Sequence, residues 1–264
     1  MPHTMRIGII GGAGWLGGAI ASSLLASGIV RSEALSLSYR SARPTHYPHA
    51  HWTQDNQEVA DRSDVIIISV RPADWSALAF DSRGKLIISV MAGIRLDQIA
   101  TRHRTRRAVR ALPNAAAEVA GSYTPWFASA GVSEADRAAV REIFSACGVE
   151  DEVRNESSID YFTGLTGAGP AFPALLAAAM VNDAIRQGIP DDVARRAVTT
   201  VLVGTGRLLE QRQDCPNDIV ASFLDYRGTT AAAIDAMRSL GFDEAVAEGL
   251  SAAAKKSVSM GDTS

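Results

Sequence analysis

The chain has 264 residues, of which 47% are hydrophobic and 21% are charged, a composition typical of a folded protein long enough for two domains. A formal net charge of −3 gives no reason to expect a nucleic acid or an anionic membrane surface as a partner. With two cysteines, no metal-type cysteine spacing and no secretory signature near residue 1, the sequence predicts a cytoplasmic protein.

The first predicted elements are a short apolar strand, a glycine turn and a helix. Gly12, Gly14 and Gly17 form a GxGxxG pattern in that turn, where glycines permit a tight turn, close approach to a pyrophosphate and close helix packing. Two apolar runs typical of strands buried on both faces follow at 64–70 and 85–90. We therefore predict a Rossmann-type doubly wound parallel sheet, with a purely structural glycine turn as the alternative.

The second strand is predicted within "ALSLSYRSARP", residues 34–44, and should end near the adenosine ribose of a bound dinucleotide. NAD-preferring sites usually place an acidic residue there. This sequence has Arg40, Ser41 and Arg43 instead. Arginine pairs bidentately with phosphate, so we expect NADP(H) to be preferred over NAD(H); a solvated basic turn is the alternative.

Two further clusters are less informative. The histidines of "HYPHAH", residues 46–51, have no carboxylate or cysteine at ligand spacing, so we expect no metal. The basic run "RHRTRR", residues 102–107, is short and lacks interleaved aromatic residues, which favours a solvated face over nucleic-acid binding.

After about residue 155 the pattern changes to alanine-rich helical segments, so we predict a dinucleotide-binding domain at 1–155 and an all-helical domain at 156–264. The abundance of alanine indicates close helix contacts and an oligomer interface. The longest apolar run, 171–181, contains Pro173 and is too short to cross a bilayer, so no membrane partner is expected.

Taken together, six motifs resemble those of the pyrroline-5-carboxylate reductase family, whose members reduce a cyclic imine to proline with NAD(P)H. The resemblance covers nearly the whole chain in colinear order. The motifs are GWLG at 14–17, DNQEV at 55–59, SVRPAD at 69–74, SVMAGI at 89–94, VRALPN at 109–114 and LTGAGPAF at 165–172.

The resemblance implies roles for residues of the first domain and an arrangement for the second. It implies that Asn56 lies at the adenosine end of the cofactor, and that the strand ends around the nicotinamide carry Val70, Arg71, Pro72, Ala92 and Gly93. Trp15, Leu16 and Asn114 belong to its cofactor-binding motifs. It also implies an intertwined homodimer through the helical domain, assembled further in many members, with the bend at Gly169 and Pro170 beside the imine pocket.

The substrate loop departs from the family pattern. Members of the family have SPGGTT where this chain has "DYRGTT", residues 225–230, so Gly228, Thr229 and Thr230 match while Arg227 is new. The resemblance implies that Thr230 faces the ring nitrogen and that Thr166 supplies a second hydroxyl, with helix N-capping by the threonines as the structural alternative. Arg227 adds a cation to the substrate-binding loop that could clamp a larger or doubly charged acid.

The chemistry expected of an imine reductase agrees with the composition of the second domain. After Lys85 the next lysine is Lys255, and no histidine follows His103, so the second domain before its last helix lacks the usual proton donors for ketone reduction. An imine nitrogen can be protonated before hydride arrives, which removes much of that need.

Three functions therefore remain open for a small-molecule substrate. One is reduction of pyrroline-5-carboxylate to proline, and another is reduction of a different cyclic imine or a keto acid, which the "DYRG" sequence motivates. The third is a non-catalytic protein that retains the NADP-binding fold.

Overall fold

The computed structural model describes residues 5–212 and 215–262. By their contacts these residues form two compact units, Met1–Ala168 with Ser251–Ser264, and Gly169–Leu250. The C-terminal segment therefore belongs to the N-terminal unit. The domain boundary at 155/156 stays a prediction.

The first unit is built on one eight-stranded sheet in the order β3-β2-β1-β4-β5-β6-β7-β8. The strands are β1 Ile7–Ile10, β2 Leu35–Ser38, β3 His51–Thr53, β4 Val65–Ile68, β5 Leu86–Ser89, β6 Ala108–Ala111, β7 Ser122–Ala128 and β8 Gly148–Glu152. All neighbours pair in parallel except β6 with β7. The predicted doubly wound sheet is confirmed, with its last two strands running in the opposite direction.

Both faces of the sheet are buried, as the continuous apolar runs predicted. Ile7, Ile9 and Ile67 belong to the core on one face, while Ile66 and Ile68 belong to the core on the other. Such strands cannot alternate apolar with polar residues, because neither face meets water. Helices cover the two faces: α1 Trp15–Ala26, α2 Asn56–Asp61, α3 Leu96–Arg102, α4 Glu134–Ser145 and α5 Ser157–Phe162.

The second unit is helical. Its helices are α6 Ala171–Arg186, α7 Asp191–Arg212, α8 Pro216–Asp225, α9 Thr229–Ser239 and the first part of α10 Phe242–Asp262. Among the described residues of this unit, the buried apolar side chains are only Ala194, Val198 and Ala231. Three small side chains are too little core for an independent domain of this size, because burial of apolar surface is the main favourable term in folding.

The segment between α5 and α6 contains a π-helical turn, Thr163–Gly167. The amide of Ala168 donates to the carbonyl of Thr163 at 2.9 Å, the five-residue spacing of a π turn. From α5 to α6, Ser157–Arg186, the chain is long and apolar enough by length and composition to cross a membrane, and it is the one such segment among the described residues. The apolar stretch is therefore longer than the run of 11 residues read from the sequence, because α5 and the π turn extend it.

Candidate active site

The first unit contains a cavity of ≈ 930 Å³ at the carboxyl ends of the central strands. Ile10 of β1 and Ser38 of β2 line it, followed by residues just after β4 and β5. Ligands of open parallel sheets bind at this edge, where the strand order reverses. Of the predicted cofactor residues, those lining the cavity are Gly14, Trp15, Leu16, Arg40, Ser41, Asn56, Val70, Arg71, Pro72 and Ala92.

The glycine turn after β1 has the geometry that a phosphate loop needs. Gly11 has φ +85°, and a Cβ there would lie 2.3 Å from the carbonyl oxygen of Ser69, so only glycine is compatible with this position. Gly17 lets α1 approach the turn, because its Cβ would lie 2.5 Å from the carbonyl oxygen of Gly11. Gly12 and Gly17 are buried beneath the turn rather than lining the cavity.

The start of α1 faces the cavity. Its N-cap is Gly14, which has no side chain to occupy the first amides of the helix, and the first turn holds no acidic residue. Free amides and the positive end of the helix dipole favour an anionic ligand. Together with the cavity's position and volume, this arrangement fits the pyrophosphate of a dinucleotide.

Charged side chains gather at the end of the cavity next to β2. Arg40 Nη1 lies 3.6 Å from Asp74 Oδ1, and Arg71 Nε lies 3.3 Å from Asp74 Oδ2. The resemblance assigned Arg71 to the nicotinamide end, yet here it shares Asp74 with Arg40. Arg43, by contrast, is exposed and lies outside the cavity lining.

Trp15 projects from the first position of α1 beside the cavity and is 65% exposed. Its indole N–H donates to the carboxylate of Glu118. Glu118 belongs to the 3-10 turn Ala115–Val119, which is held against α1 because the Ser23 hydroxyl donates to the carbonyl of Ala117 at 3.0 Å. The residues after β6 therefore form one wall next to the glycine turn.

Asn114 and Gly93 lie outside the cavity lining. Asn114 caps that 3-10 turn through its Oδ1, which accepts from the amide of Ala116 at 2.9 Å, and its Nδ2 donates to the carbonyl of Thr166 at 3.0 Å. Gly93 approaches the end of α10, where a Cβ would lie 2.8 Å from the amide nitrogen of Gly261. Asn114 fixes the π turn, and Gly93 lets the C-terminal helix pack closely.

Arg110, 1% exposed, holds the same region from β6. Its guanidinium bonds Glu156 at 2.9 Å and Asp160 at 3.0 Å, and Ser257 of α10 donates to Asp160 at 3.1 Å. Removing one partner of such a buried ion pair leaves an uncompensated charge, which typically costs about 3–5 kcal/mol. This network was not predicted, because its members lie up to 147 residues apart in the sequence.

Thr166 lies in the π turn and is half-buried. Its hydroxyl donates to the carbonyl of Phe162 at 3.1 Å. A threonine hydroxyl that bonds the carbonyl four residues earlier in this way often accompanies a bend in a helix. Its oxygen still has lone pairs to accept a further hydrogen bond.

In the second unit, the predicted substrate-loop residues Gly228, Thr229 and Thr230 form the start of α9. Gly228 is the N-cap and Thr229 the first helical residue, so capping by a threonine side chain, the structural alternative, is absent at this described helix end. The Thr230 side chain is exposed at the second position, beside the free amides of the first turn. A carboxylate is a suitable ligand for such amides.

Arg227 has φ +51°, the left-handed conformation, at the position where the family pattern has glycine. A non-glycine residue there is strained. Within the described residues, no ion pair joins Arg227 to Asp225, so the guanidinium remains available. Gly169 and Pro170 form the turn before α6, where the carbonyl of Gly169 accepts from Phe172 at 3.1 Å.

The two remaining clusters have structural roles. His46 packs edge-on against Trp52 with ring centroids 5.5 Å apart, and no group of three or more potential metal-ligating side chains occurs in the described part of the chain. In the basic run, Arg102 bonds the carbonyl of Leu78 and Arg107 pairs with Asp136. Two of the arginines in this run are therefore engaged in contacts within the unit.

His103, the second residue of that run, is fully buried and stacks on Phe80 with ring centroids 4.0 Å apart. Burial lowers the pKa of His103 to about 4, because desolvation disfavours the imidazolium. The side chain is therefore neutral at physiological pH and belongs to the core.

Comparison with known proteins agrees with this geometry. Residues 156–260 match the pyrroline-5-carboxylate reductase dimerisation family, and residues 6–93 match the family described as NADP oxidoreductase, coenzyme F420-dependent. The pyrroline-5-carboxylate reductase of Synechocystis is 30% identical over 266 residues, which cover 98% of this chain and 99% of the relative.

Two solved structures share the fold over almost their whole length. Pyrroline-5-carboxylate reductase from Streptococcus pyogenes superposes with a TM-score of 0.84 at 26% identity, covering 97% of this chain and 98% of that one. The Plasmodium falciparum pyrroline carboxylate reductase with NADP bound gives a TM-score of 0.86 at 21% identity, with the same coverage.

Proposed function

The chain belongs to the pyrroline-5-carboxylate reductase family, and from this premise we propose that it reduces 1-pyrroline-5-carboxylate to proline with NAD(P)H. The observation that carries the proposal is the cavity at the carboxyl ends of the central strands, with its glycine turn and open start of α1. When bound there, the nicotinamide cofactor supplies the hydride.

The phosphate loop, Trp15, Leu16 and the strand-end residues would hold the cofactor, and the start of α9 would hold the substrate. The amides at Gly228 and Thr229 suit the substrate carboxylate, and the Thr230 hydroxyl suits a hydrogen bond to the ring nitrogen. Since an iminium accepts hydride directly, the residues need to orient the substrate rather than donate a proton to an alkoxide.

We further propose NADPH as the preferred cofactor, because Arg40 and Ser41 line the cavity after β2 where an acidic residue would favour NADH. The helical domain is proposed to form the homodimer, and higher assembly remains a prediction. Exposed apolar side chains such as Leu175, Val201 and Leu208 support a partner surface on the helical domain. Such a surface also explains why the segment Ser157–Arg186 is apolar, without requiring a membrane. A cytoplasmic location stays a prediction.

The experiment is NADPH oxidation at 340 nm by the purified protein with pyrroline-5-carboxylate. We expect turnover of roughly 1 per second or more, and a loss of about 100-fold in kcat for Thr230→Ala with recovery in Thr230→Ser. Because Gly228 is the N-cap, Thr230→Ala should leave the helix intact, which separates a chemical role from a structural one. Absence of turnover in the wild type with intact NADP⁺ binding would refute the proposal.

A second candidate is reduction of a different cyclic imine, favoured by Arg227 in place of the family's glycine. A guanidinium at the substrate loop suits an acid with a second carboxylate. A panel containing six-membered and dicarboxylic imines distinguishes the candidates. A kcat/KM for pyrroline-5-carboxylate well below that for another imine would identify the altered substrate.

A further inference from the structure

Three charged side chains line one edge of the cavity: Arg40 after β2, and Arg71 and Asp74 after β4. The two arginines approach the same carboxylate from different strands, at 3.6 Å and 3.3 Å. Asp74 therefore occupies the point on which two guanidinium groups converge.

These ion pairs are easily exchanged. The Arg40 and Arg71 side chains are 76% and 73% exposed, and Asp74 is 39% exposed. Pairs in such a solvated position contribute little to stability, so a ligand with more negative charge can take both arginines. A phosphate monoester carries nearly two charges and accepts bidentate bonds from each guanidinium.

We propose that Asp74 sets the discrimination between NADPH and NADH, because its carboxylate competes with the 2′-phosphate for Arg40 and Arg71. The inference rests on the proposed function for the identity of the cofactor. Asp74 lowers the affinity for the phosphorylated cofactor by occupying the arginines and by repelling the phosphate. NADH lacks the 2′-phosphate, so Asp74 does not compete with it for the arginines. Arg71 is thereby assigned to the adenosine end of the site.

The test is calorimetric titration of the wild type and Asp74→Asn with NADP⁺ and NAD⁺, and with adenosine 2′,5′-bisphosphate and adenosine 5′-monophosphate. We expect Asp74→Asn to tighten binding of both 2′-phosphorylated ligands by about five- to tenfold. Binding of the other two should not tighten, because they carry a 2′-hydroxyl, which an acidic side chain favours, in place of the phosphate. Arg71→Gln should weaken NADP⁺ by about tenfold and leave NAD⁺ unaffected.

The control is Asp81→Asn, which removes the same charge from another aspartate paired with an arginine, Arg83, outside this cavity. Its affinities should match the wild type, so a change in overall charge alone cannot imitate the result. Unchanged or weaker NADP⁺ binding in Asp74→Asn would overturn the inference, as would equal losses of NADP⁺ and NAD⁺ in Arg71→Gln. The readout is binding and not turnover. Tighter NADP⁺ binding in Asp74→Asn, together with no imine turnover, would therefore refute the proposed reaction but not the inference about Asp74.

Discussion

Replacing Gly17 by alanine tests whether close packing of α1 against the glycine turn creates the cofactor site. The new Cβ would lie 2.5 Å from the carbonyl oxygen of Gly11 and 3.1 Å from the Cα of Gly12. Both contacts are with backbone, which cannot rotate away, so the helix must retreat by roughly 0.5 Å. Overpacking of this kind costs about 1–3 kcal/mol.

The retreat moves the amides at the start of α1 away from the pyrophosphate, so we expect NADP⁺ binding to weaken roughly tenfold or more. The neighbouring residue provides the control: a Cβ on Gly18 would lie 3.6 Å from the carbonyl oxygen of Gly12, an ordinary contact. Gly18→Ala should therefore retain affinity and gain up to about 1 kcal/mol from helix propensity.

Urea unfolding at one fixed protomer concentration and calorimetric titration with NADP⁺ measure the two effects. If Gly17→Ala and Gly18→Ala behaved alike in both measurements, that result would refute the packing argument. So would a Gly17→Ala protein that is destabilised yet binds NADP⁺ as tightly as the wild type, because the loop geometry would then be separable from the helix position.

Three further predictions concern other residues. Burial lowers the pKa of His103 to about 4 from 6.5, so its contribution to the free energy of unfolding is complete above pH 6.5 and is lost as the pH falls towards 4. The free energy of unfolding should therefore drop by about 2 kcal/mol between pH 7 and 5. His103→Phe should remove that part of the pH dependence. At Arg227, the left-handed conformation predicts the stability order Gly > Arg > Val in urea unfolding, with glycine gaining about 0.5 kcal/mol after its entropic cost. Trp15 is exposed beside the cavity while the other three tryptophans are buried, so Trp15→Phe should abolish most of the change in tryptophan emission on NADP⁺ addition.

Each of these has a distinct contrary result. An undiminished pH slope in His103→Phe would assign the slope to carboxylates. Equal stabilities of the glycine and valine variants at position 227 would remove the argument from backbone strain. Retention of the fluorescence change in Trp15→Phe would place the bound nucleotide away from the start of α1.

The sheet was predictable because its strands have a strong one-dimensional signal. Short apolar runs such as 64–70 favour strands buried on both faces, and GxGxxG between a strand and a helix has a specific backbone purpose. The reversal of β7 and β8 was not predicted; residues 112–121, which join β6 to β7, are too few for the crossover that a parallel pair needs, so β7 runs antiparallel to β6. The purpose of Gly11 appears only once its φ is known.

The cavity at the strand ends was predictable in outline, whereas its electrostatics were not. Arg40 was identified because it follows a strand whose end has a known relation to the ribose. The Arg40–Asp74 pair joins residues 34 positions apart, and no local pattern indicates which aspartate an arginine will meet. The same holds for Glu118 and Trp15, whose contact depends on how the turn after β6 packs on α1.

The order of the elements along the chain also has a consequence for synthesis. Residues 251–262 are made after the whole helical unit, yet Ser257 donates to Asp160 and Gly261 closes on Gly93 in the N-terminal unit. Domains that are continuous in sequence can finish folding as they leave the ribosome. The N-terminal unit, by contrast, cannot finish folding until α10 has been synthesised. The nascent nucleotide-binding unit thus spends the time needed to translate about 80 residues with one side unfinished, and a shortened C-terminus would damage the part of the protein made first.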